Sequence, residues 1–416
     1  MADPVTAEPE ELIATAVPRE GSLALLRRAG FRNTYAAIVV SEIGDAFHYV
    51  ALMWIALVAG GPLGVLAVRF ADSVPALVFG FHGGVVADRF DRRRTMIAAD
   101  LVRAVILVPL AIAGLAHSLP IWALVVAAFC LESATMYFAP AYGALLPTLV
   151  DRANVQSANG LVQATTSAVQ VGGWAAAAAL LAIAPLAAFF AINAASFVLS
   201  AVLLAQVRAP RADLHTQRPR IREGFAALRP RPALAIAVAA IGVGVTISSG
   251  TWIVGVPQLV RTTLGRGAGS FSLVAAAYAV GAVAGGVILA RRALRRKAVA
   301  SVCAWSLYAP AYALFATAHS LPVTLVAGAG CGFAQASALV LVNAAAQEDV
   351  PDRVLGRVMG LISLVHRGAH ASGLLLVSPL FALFAAEHVF AGAAIALPSV
   401  TVVGLAALAV AGRRAR

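Results

Sequence analysis

The sequence predicts an all-α polytopic membrane protein, with 12 transmembrane helices in two six-helix pseudo-repeats and both the N and C termini cytoplasmic. Three observations predict it. Of the 416 residues, 61% are hydrophobic and only 12% charged, with a mean hydropathy of +0.87, whereas roughly a quarter of an ordinary soluble sequence is charged. The apolar residues come in runs of about 20, enough for a helix to cross about 30 Å of hydrocarbon. Finally, the basic residues between those runs fall on alternate loops. With no water in the bilayer core a spanning backbone has to be helical or a closed barrel, and these runs are too long for barrel strands.

Taken in chain order, residues 1–32 lack the short apolar core of a cleavable signal peptide and read as a cytoplasmic tail. Apolar runs at 33–59, 64–87, 95–116, 120–143, 157–182 and 185–207 make a first six-helix bundle, 33–207. Residues 208–232 are basic and carry Pro210, Pro219, Pro230 and Pro232, which marks a cytoplasmic linker. A second bundle, 233–411, holds runs at 233–260, 270–290, 298–317, 321–346, 357–384 and 388–411, and 412–416 is a short cytoplasmic tail. The abundance of Ala and Gly suits close helix packing in lipid, where small residues let backbones approach. Cys130, Cys303 and Cys331 all lie inside spans without metal-ligand spacing, which argues against a disulfide framework.

The net charge of +12 invites a nucleic-acid reading. Its placement argues against one. All but five of the 31 Lys and Arg residues lie in the tails or in alternate loops, around Arg89–Arg94, Arg152, Arg208–Arg231, Arg291–Lys297 and Arg353–Arg357. The exceptions are Arg69, Arg103 and Arg367 within spans, and Arg261 and Arg266 in the opposite loops. By the positive-inside rule this excess is a topology signal that puts both termini in the cytoplasm; the expected location is the cell inner (plasma) membrane, among membrane lipids.

An internal repeat divides the chain. Ala116-His117-Ser118-Leu119-Pro120 recurs as Ala318-His319-Ser320-Leu321-Pro322, and Asp151-Arg152 recurs as Asp352-Arg353 at nearly the same offset. Gly84 and the loop to Arg94 map in the same way near Gly286 and the basic run 291–297. Three features agreeing on one offset indicate a duplicated six-helix half.

Between the second and third apolar runs lies Gly83-Gly84-Val85-Val86, then Ala87-Asp88-Arg89-Phe90-Asp91-Arg92-Arg93-Arg94. A glycine, an Asp-Arg pair and a basic cluster in a tight loop resemble the helix 2–3 loop of major facilitator superfamily transporters. Ser41-Glu42-Ile43-Gly44-Asp45 in helix 1, Ala139 to Pro147 leading to Ala158-Asn159-Gly160, and Gly356-Arg357-Val358-Met359-Gly360 opening helix 11 extend the resemblance over about 30–410. They point to its drug-efflux branch, the group of macrolide-efflux and enterobactin-type exporters. There are two departures. Ala290 or Arg291 sits where the second half would repeat Asp88, and Val171-Gly172-Gly173-Trp174 in helix 5 lacks the proline that antiporter members often carry there.

Charges inside spans cost at least about 2.5–3.5 kcal/mol on insertion scales, so each needs a partner, water or a purpose. Glu42 and Asp45 lie near the middle of helix 1. Glu132 in helix 4 lies about 18 Å from the outer surface by helical rise. The resemblance implies that helices 1 and 4 line a central cavity, where three carboxylates would attract cationic amphiphiles and exchange protons. Asp45 leads as the coupling residue, with Glu42 and Glu132 as cavity residues. The alternative is that Glu42 or Asp45 bonds to Ser41, His48 or Tyr49 and holds helix packing.

Arg367 lies about 15 Å from the cytoplasmic end of helix 11 and Asp72 about 12 Å from the outer end of helix 2, by helical rise. The family architecture packs these helices together, so an Asp72–Arg367 ion pair would bridge the halves; its alternative is Arg69–Asp72 at i,i+3 on helix 2. His366 and His370 share a face at i,i+4 without a third metal ligand in view, which suits proton titration or polar packing. Gln163, Gln170, Gln335 and Asn343 could add neutral polar contacts.

The charged loop reads as a gate of Gly84, Asp88, Arg89, Arg92, Arg93 and Arg357. Asp88 can accept from the exposed N–H groups opening helix 11 and pair with Arg357. The arginines can pair with Asp91 and Asp100 or face lipid phosphates; the alternative is that the cluster serves topology alone.

The expected function is alternating-access transport, with proton-coupled efflux of a small lipophilic or amphiphilic compound. Proton-coupled import and a non-transporting binding role are the alternatives. No Gly-x-x-x-x-Gly-Lys-Ser/Thr phosphate loop is present, so no ATP or other cofactor is implied. No clustered nucleophile–base or metal constellation implies an enzyme. The expected partners are the small-molecule substrate, protons and lipids, and the expected state is a monomer.

Overall fold

The computed structural model describes residues 23–116, 118–151, 154–208, 221–290 and 294–414. Among these, every regular element is helical, and ten helices are long and apolar enough to cross a membrane. A short 3-10 turn, Ala24–Arg27, precedes α1 (Ala29–Arg89), which starts earlier than the sequence suggested and runs through both of the first two apolar stretches. It is two helices joined at Gly61, whose φ of 60° and ψ of −157° break the hydrogen-bond ladder ahead of Pro62. Only glycine adopts that backbone region without strain, so the bend was written into the sequence at that position.

The next four helices are α2 (Arg92–Leu115), α3 (Ile121–Leu149), α4 (Val155–Leu180) and α5 (Ala188–Ala205). The linker expected at 208–232 contains a helix, α6 (Ile221–Leu228), which packs on α13, so part of it is ordered against the second group of helices. Residues 209–220 lie outside the described residues. The seventh apolar run is α7 (Pro232–Gly250), a π-helical turn at Thr251–Gly255 and α8 (Val256–Thr262). Then come α9 (Ala268–Ala290), and α10 (Lys297–Ala304) joined by a 3-10 turn to α11 (Tyr308–Ala316). The chain closes with α12 (Leu321–Asp349), α13 (Asp352–Leu376), the short α14 (Leu380–Leu383) and α15 (Ala386–Arg414).

The same partnerships occur twice. α1 packs on α3 and α4, and α2 on α5; correspondingly α9 packs on α12, α7 on α13, and α10 and α11 on α15. Small residues make the closest of these approaches. At Gly83 of α1 a Cβ would collide with the Met136 carbonyl of α3, so only glycine lets the two backbones meet there.

On the face carrying the basic loops, each group of helices is tied to itself. Arg28 bonds to Asp151 at 2.5 Å, Arg92 Nη1 donates to the Ala144 carbonyl at 3.0 Å, and Arg93 Nη1 to the Val207 carbonyl at 2.7 Å. Similarly, Arg231 Nε donates to the Asp349 carbonyl at 2.5 Å, and Lys297 pairs with Glu348. Bonds between the two groups occur near the opposite face, where Arg261 Nη1 reaches the Leu57 carbonyl at 2.7 Å and the Ser272 hydroxyl donates to the Trp174 carbonyl. Tyr49 adds ring contacts to Trp174 at 5.5 Å and to Phe271 at 6.3 Å.

Candidate functional site

Asp45 projects from the first arm of α1 toward α5, where Asn193 Nδ2 donates to its Oδ1 at 3.0 Å. The Asn193 side chain is oriented in turn by Ser196, whose hydroxyl lies 2.8 Å from the Asn193 carbonyl and 3.0 Å from Oδ1. Asn193 supplies a positioning contact that the sequence reading missed. It differs from the expected alternative partners Ser41, His48 and Tyr49: Ser41 donates to its own helix carbonyl at Ile38, and His48 Nδ1 is buried with no hydrogen-bond partner. Glu42 lies one turn before Asp45, close enough for the two charges to interact.

A second charged cluster was not anticipated. Asp100, fully buried, and Arg103, 5% exposed, pair on α2 at 3.4 Å. The Ser200 hydroxyl of α5 donates to the other Asp100 carboxylate oxygen at 2.7 Å. The guanidinium lies between two aromatic faces, 4.5 Å from the Phe138 centroid and 4.7 Å from that of Phe197, an arrangement that partly replaces its lost hydration. Its charge reaches Glu42, Asp45 and Glu132. The signal was available in the sequence: Asn193, Ser196 and Ser200 recur at helical spacing on one face of an otherwise apolar α5.

Asp72 is held by its own helix. Arg69 Nη1 lies 2.8 Å from Asp72 Oδ2, which is the i,i+3 alternative, and no Asp72–Arg367 ion pair occurs among the described residues. The reason is local: one helical turn already brings a guanidinium to Asp72, so no contact between the halves is needed. Arg367 is exposed on α13 and its charge acts on Glu132, as do those of Asp72, Arg69 and Arg103. Glu132 of α3 is therefore the point where charges from α1, α2 and α13 converge.

The gate residues separate. Asp91 caps α2, accepting from the Arg94 backbone N–H at 2.8 Å, and Asp100 is committed to Arg103 and Ser200, so neither pairs with the loop arginines as expected. Arg92 and Arg93 instead reach the Ala144 carbonyl in the last third of α3 and the Val207 carbonyl just past α5. Arg89 is exposed and Arg357 half-buried on α13. Gly84 lies on α1, one residue beyond the close approach at Gly83. Asp88 falls in the last turn of α1, and its side chain lies outside the described residues.

His366 and His370 stand on α13 with ring centroids 6.4 Å apart. Gln335 of α12 meets His366 at 3.4 Å and accepts from the Tyr308 hydroxyl at 2.5 Å. Among the described residues no group of three or more His, Cys, Asp or Glu side chains could hold a metal ion, and the three cysteines are free.

The sequence comparisons place this helical bundle in a family of membrane proteins. Residues 23–374 match the family model described as Major Facilitator Superfamily, and the chain belongs to that superfamily, a group of membrane transport proteins rather than enzymes. It is a multi-pass protein of the cell membrane. It is 30% identical to the Macrolide efflux protein A of Streptococcus pyogenes over 206 residues, 48% of this chain and 51% of that protein. It is 30% identical to the protein of the same name from Enterococcus faecalis over 171 residues, covering 40% and 53%, and 28% identical to an uncharacterized MFS-type transporter, YfiS, of Bacillus subtilis over 177 residues, covering 42% and 41%. The matched segments thus span about half the length of these relatives. Among solved structures, a bacterial homologue of the iron transporter ferroportin superposes with a TM-score of 0.70 at 15% identity, covering 93% of this chain and 99% of that one. The nucleoside transporter NupG gives 0.69 at 11% identity, covering 90% and 99%. Both show the fold.

Proposed function

We propose that the chain is a secondary active transporter that exports a small lipophilic or amphiphilic compound, most readily a cationic one, in exchange for protons. It acts by alternating access, as a monomer, with the basic loops and both termini in the cytoplasm. In this reading the chain crosses the membrane twelve times: the two arms of α1 count separately and α4 is added to the other spans. The twofold recurrence of helix partnerships supports two six-helix halves, 33–207 and 233–411, that rock about the site.

The observation that carries the proposal is Asp45. A carboxylate in the middle of a membrane helix is held by one amide hydrogen bond, lies beside Glu42 and is reached by the Arg103 charge. A structural carboxylate would be expected to have a full counter-ion; one held by a neutral amide can gain and lose a proton without dismantling its surroundings. Glu132 offers a second acidic group for a cationic substrate. The names of the Streptococcus and Enterococcus relatives favour export and a drug-like cargo.

The test is flux of a panel of cationic and neutral lipophilic dyes in proteoliposomes, with the proton gradient imposed in each direction. Export predicts dye movement against the direction of proton flow. Dye movement along with protons would establish the importing alternative, and flux that ignores the gradient would refute coupling.

A further inference from the structure

His48 stands one turn beyond Asp45 on α1, and the two side chains face the same helix. Asp45 accepts from Asn193 of α5, and the His48 ring lies 5.4 Å from that of Phe190, one turn earlier on α5. The helices run antiparallel here, so one turn forward on α1 matches one turn back on α5, and both side chains stand along one interface. We propose that His48 carries the coupled proton between Asp45 and the face opposite the basic loops. The inference rests on the transporter reading and adds the proton's route to it.

Three observations support it. First, His48 Nδ1 is buried with no hydrogen-bond partner, and an unpaired buried polar atom costs about 1–3 kcal/mol. An apolar side chain would pack on Phe190 without that cost, so the imidazole is explained by a partner that comes and goes. Second, Asp45 has an oxygen to offer. Asn193 donates to Oδ1, and among the described residues nothing bonds to Oδ2. Side chains three apart on a helix are neighbours, with Cβ atoms about 5–6 Å apart, a gap that rotation or one water closes. Third, His48 lies on the required stretch. From Ala46 to the break at Gly61, α1 has no carboxylate, lysine or arginine, and its titratable side chains are His48 and Tyr49. Tyr49 meets Phe271 of the second group of helices, a contact that would part as the opposite face opens, leaving His48 as the next group in line.

The charge that acts on His48 is that of Arg69, on the second arm of α1. The other helices packed on α1 bring few ionisable groups: α4, α5 and α9 carry no Asp, Glu, Lys, Arg or His, and Arg261 of α8 is tied to Leu57. Glu132 of α3, and His366, Arg367 and His370 of α13, are the remaining ones inside the bundle.

The transfer needs no co-reactant. A proton from water on the opposite face bonds to one nitrogen of the neutral ring. The N–H bond at the other nitrogen breaks, and its proton passes to the Asp45 carboxylate directly or through one water. The ring is left neutral as the other tautomer, and rotation about its side-chain bonds restores it.

The experiment uses the full-length chain in proteoliposomes, with ethidium as the probe and two fluxes measured. One is movement driven by a proton gradient. The other is exchange of labelled for unlabelled ethidium at equal pH, which involves no proton step. Wild type is expected to show both. His48→Gln, which cannot pass a proton on, is expected to keep exchange but lose roughly a hundredfold in driven flux, the low end of what a positioned proton-transfer group contributes. Its driven flux should also slow more in heavy water than that of wild type, and His48→Asn should behave in the same way. Equal driven flux in wild type and both variants would overturn the proposal, as would a matching loss of exchange, which a packing role produces. Wild type lacking both fluxes would remove the transporter reading and this route with it. A measurement without substitution of His48 stands beside these: nitrogen NMR of histidine-labelled wild type should show one ring exchanging between neutral tautomers, and Asp45→Asn should stop it. Absence of such a ring would overturn the relay.

Discussion

Arg261 of α8 donates from Nη1 to the carbonyl of Leu57 in α1 at 2.7 Å, joining the two groups of helices at the face opposite the basic loops. The Leu57 carbonyl lies in the last turn before the break at Gly61, where helix carbonyls lack intrahelical donors and the dipole favours a cation. The bend in α1 thus creates the acceptor that Arg261 caps, and in the proposed alternating-access cycle this contact would act as a latch on that face.

Removing the latch should favour opening there. A hydrogen bond to a charged group contributes about 1.5–3 kcal/mol, so Arg261→Ala should raise the open population roughly 10- to 100-fold. Spin labels flanking that face would show a longer-distance component in the variant. An unchanged distribution would mean the contact does not hold the face closed.

The Asp100–Arg103 pair should behave as a buried ion pair. Replacing one partner leaves the other charged and unpaired, at a cost of about 3–5 kcal/mol. Asp100→Asn and Arg103→Met are each expected to lower the melting temperature in detergent, and the double variant to lose less than the sum. Strict additivity would show that the residues act independently.

Adjacent glycines should differ. Gly83→Ala pushes a methyl into the Met136 carbonyl and should destabilise α1–α3 packing by about 1–3 kcal/mol, the usual range for overpacking. Gly84→Ala meets open space and should fold normally. If Gly84→Ala stays folded but transports more slowly, the loop's gating role gains support; equal stability losses at both positions would contradict the packing account.

On the surface, the Arg28 guanidinium beside Asp151 holds its carboxyl below the usual carboxylate range. A depressed folded-state value means that the contribution is present above the unfolded carboxylate range, near about 3.9, and is lost as the pH falls through the folded value. The pair is exposed, so Asp151→Asn should change stability little at neutral pH and flatten the acid limb of the stability profile. A steep loss at neutral pH would contradict this.

Much of the fold was legible because bilayer length and small-residue packing both leave strong marks in the sequence, and Gly61-Pro62 marked the first turn. The ordered linker helix α6 was hidden by its proline- and arginine-rich surroundings, and the π-turn at Thr251–Gly255 by continuous hydrophobicity. Within the site, Glu42, Asp45 and Glu132 stood out as charges in apolar runs. Asp72 was visible too, but proximity on one helix outweighed the expected partner across the bundle. Arg103 and Asp100 were harder to read, because they lie near the end of a span and beside a basic loop that offered Asp100 other partners. Asn193 carried no charge to attract notice; only its spacing with Ser196 and Ser200 gave it away.

The central claim, that Asp45 exchanges the coupled proton, is tested most directly by gradient-driven flux in proteoliposomes for wild type, Asp45→Asn and Asn193→Ala. The account predicts gradient-dependent flux in wild type, its loss in Asp45→Asn with substrate still bound, and a shifted pH profile with coupling retained in Asn193→Ala. Equal gradient dependence in wild type and Asp45→Asn would contradict it and move the coupling site to Glu42 or Glu132.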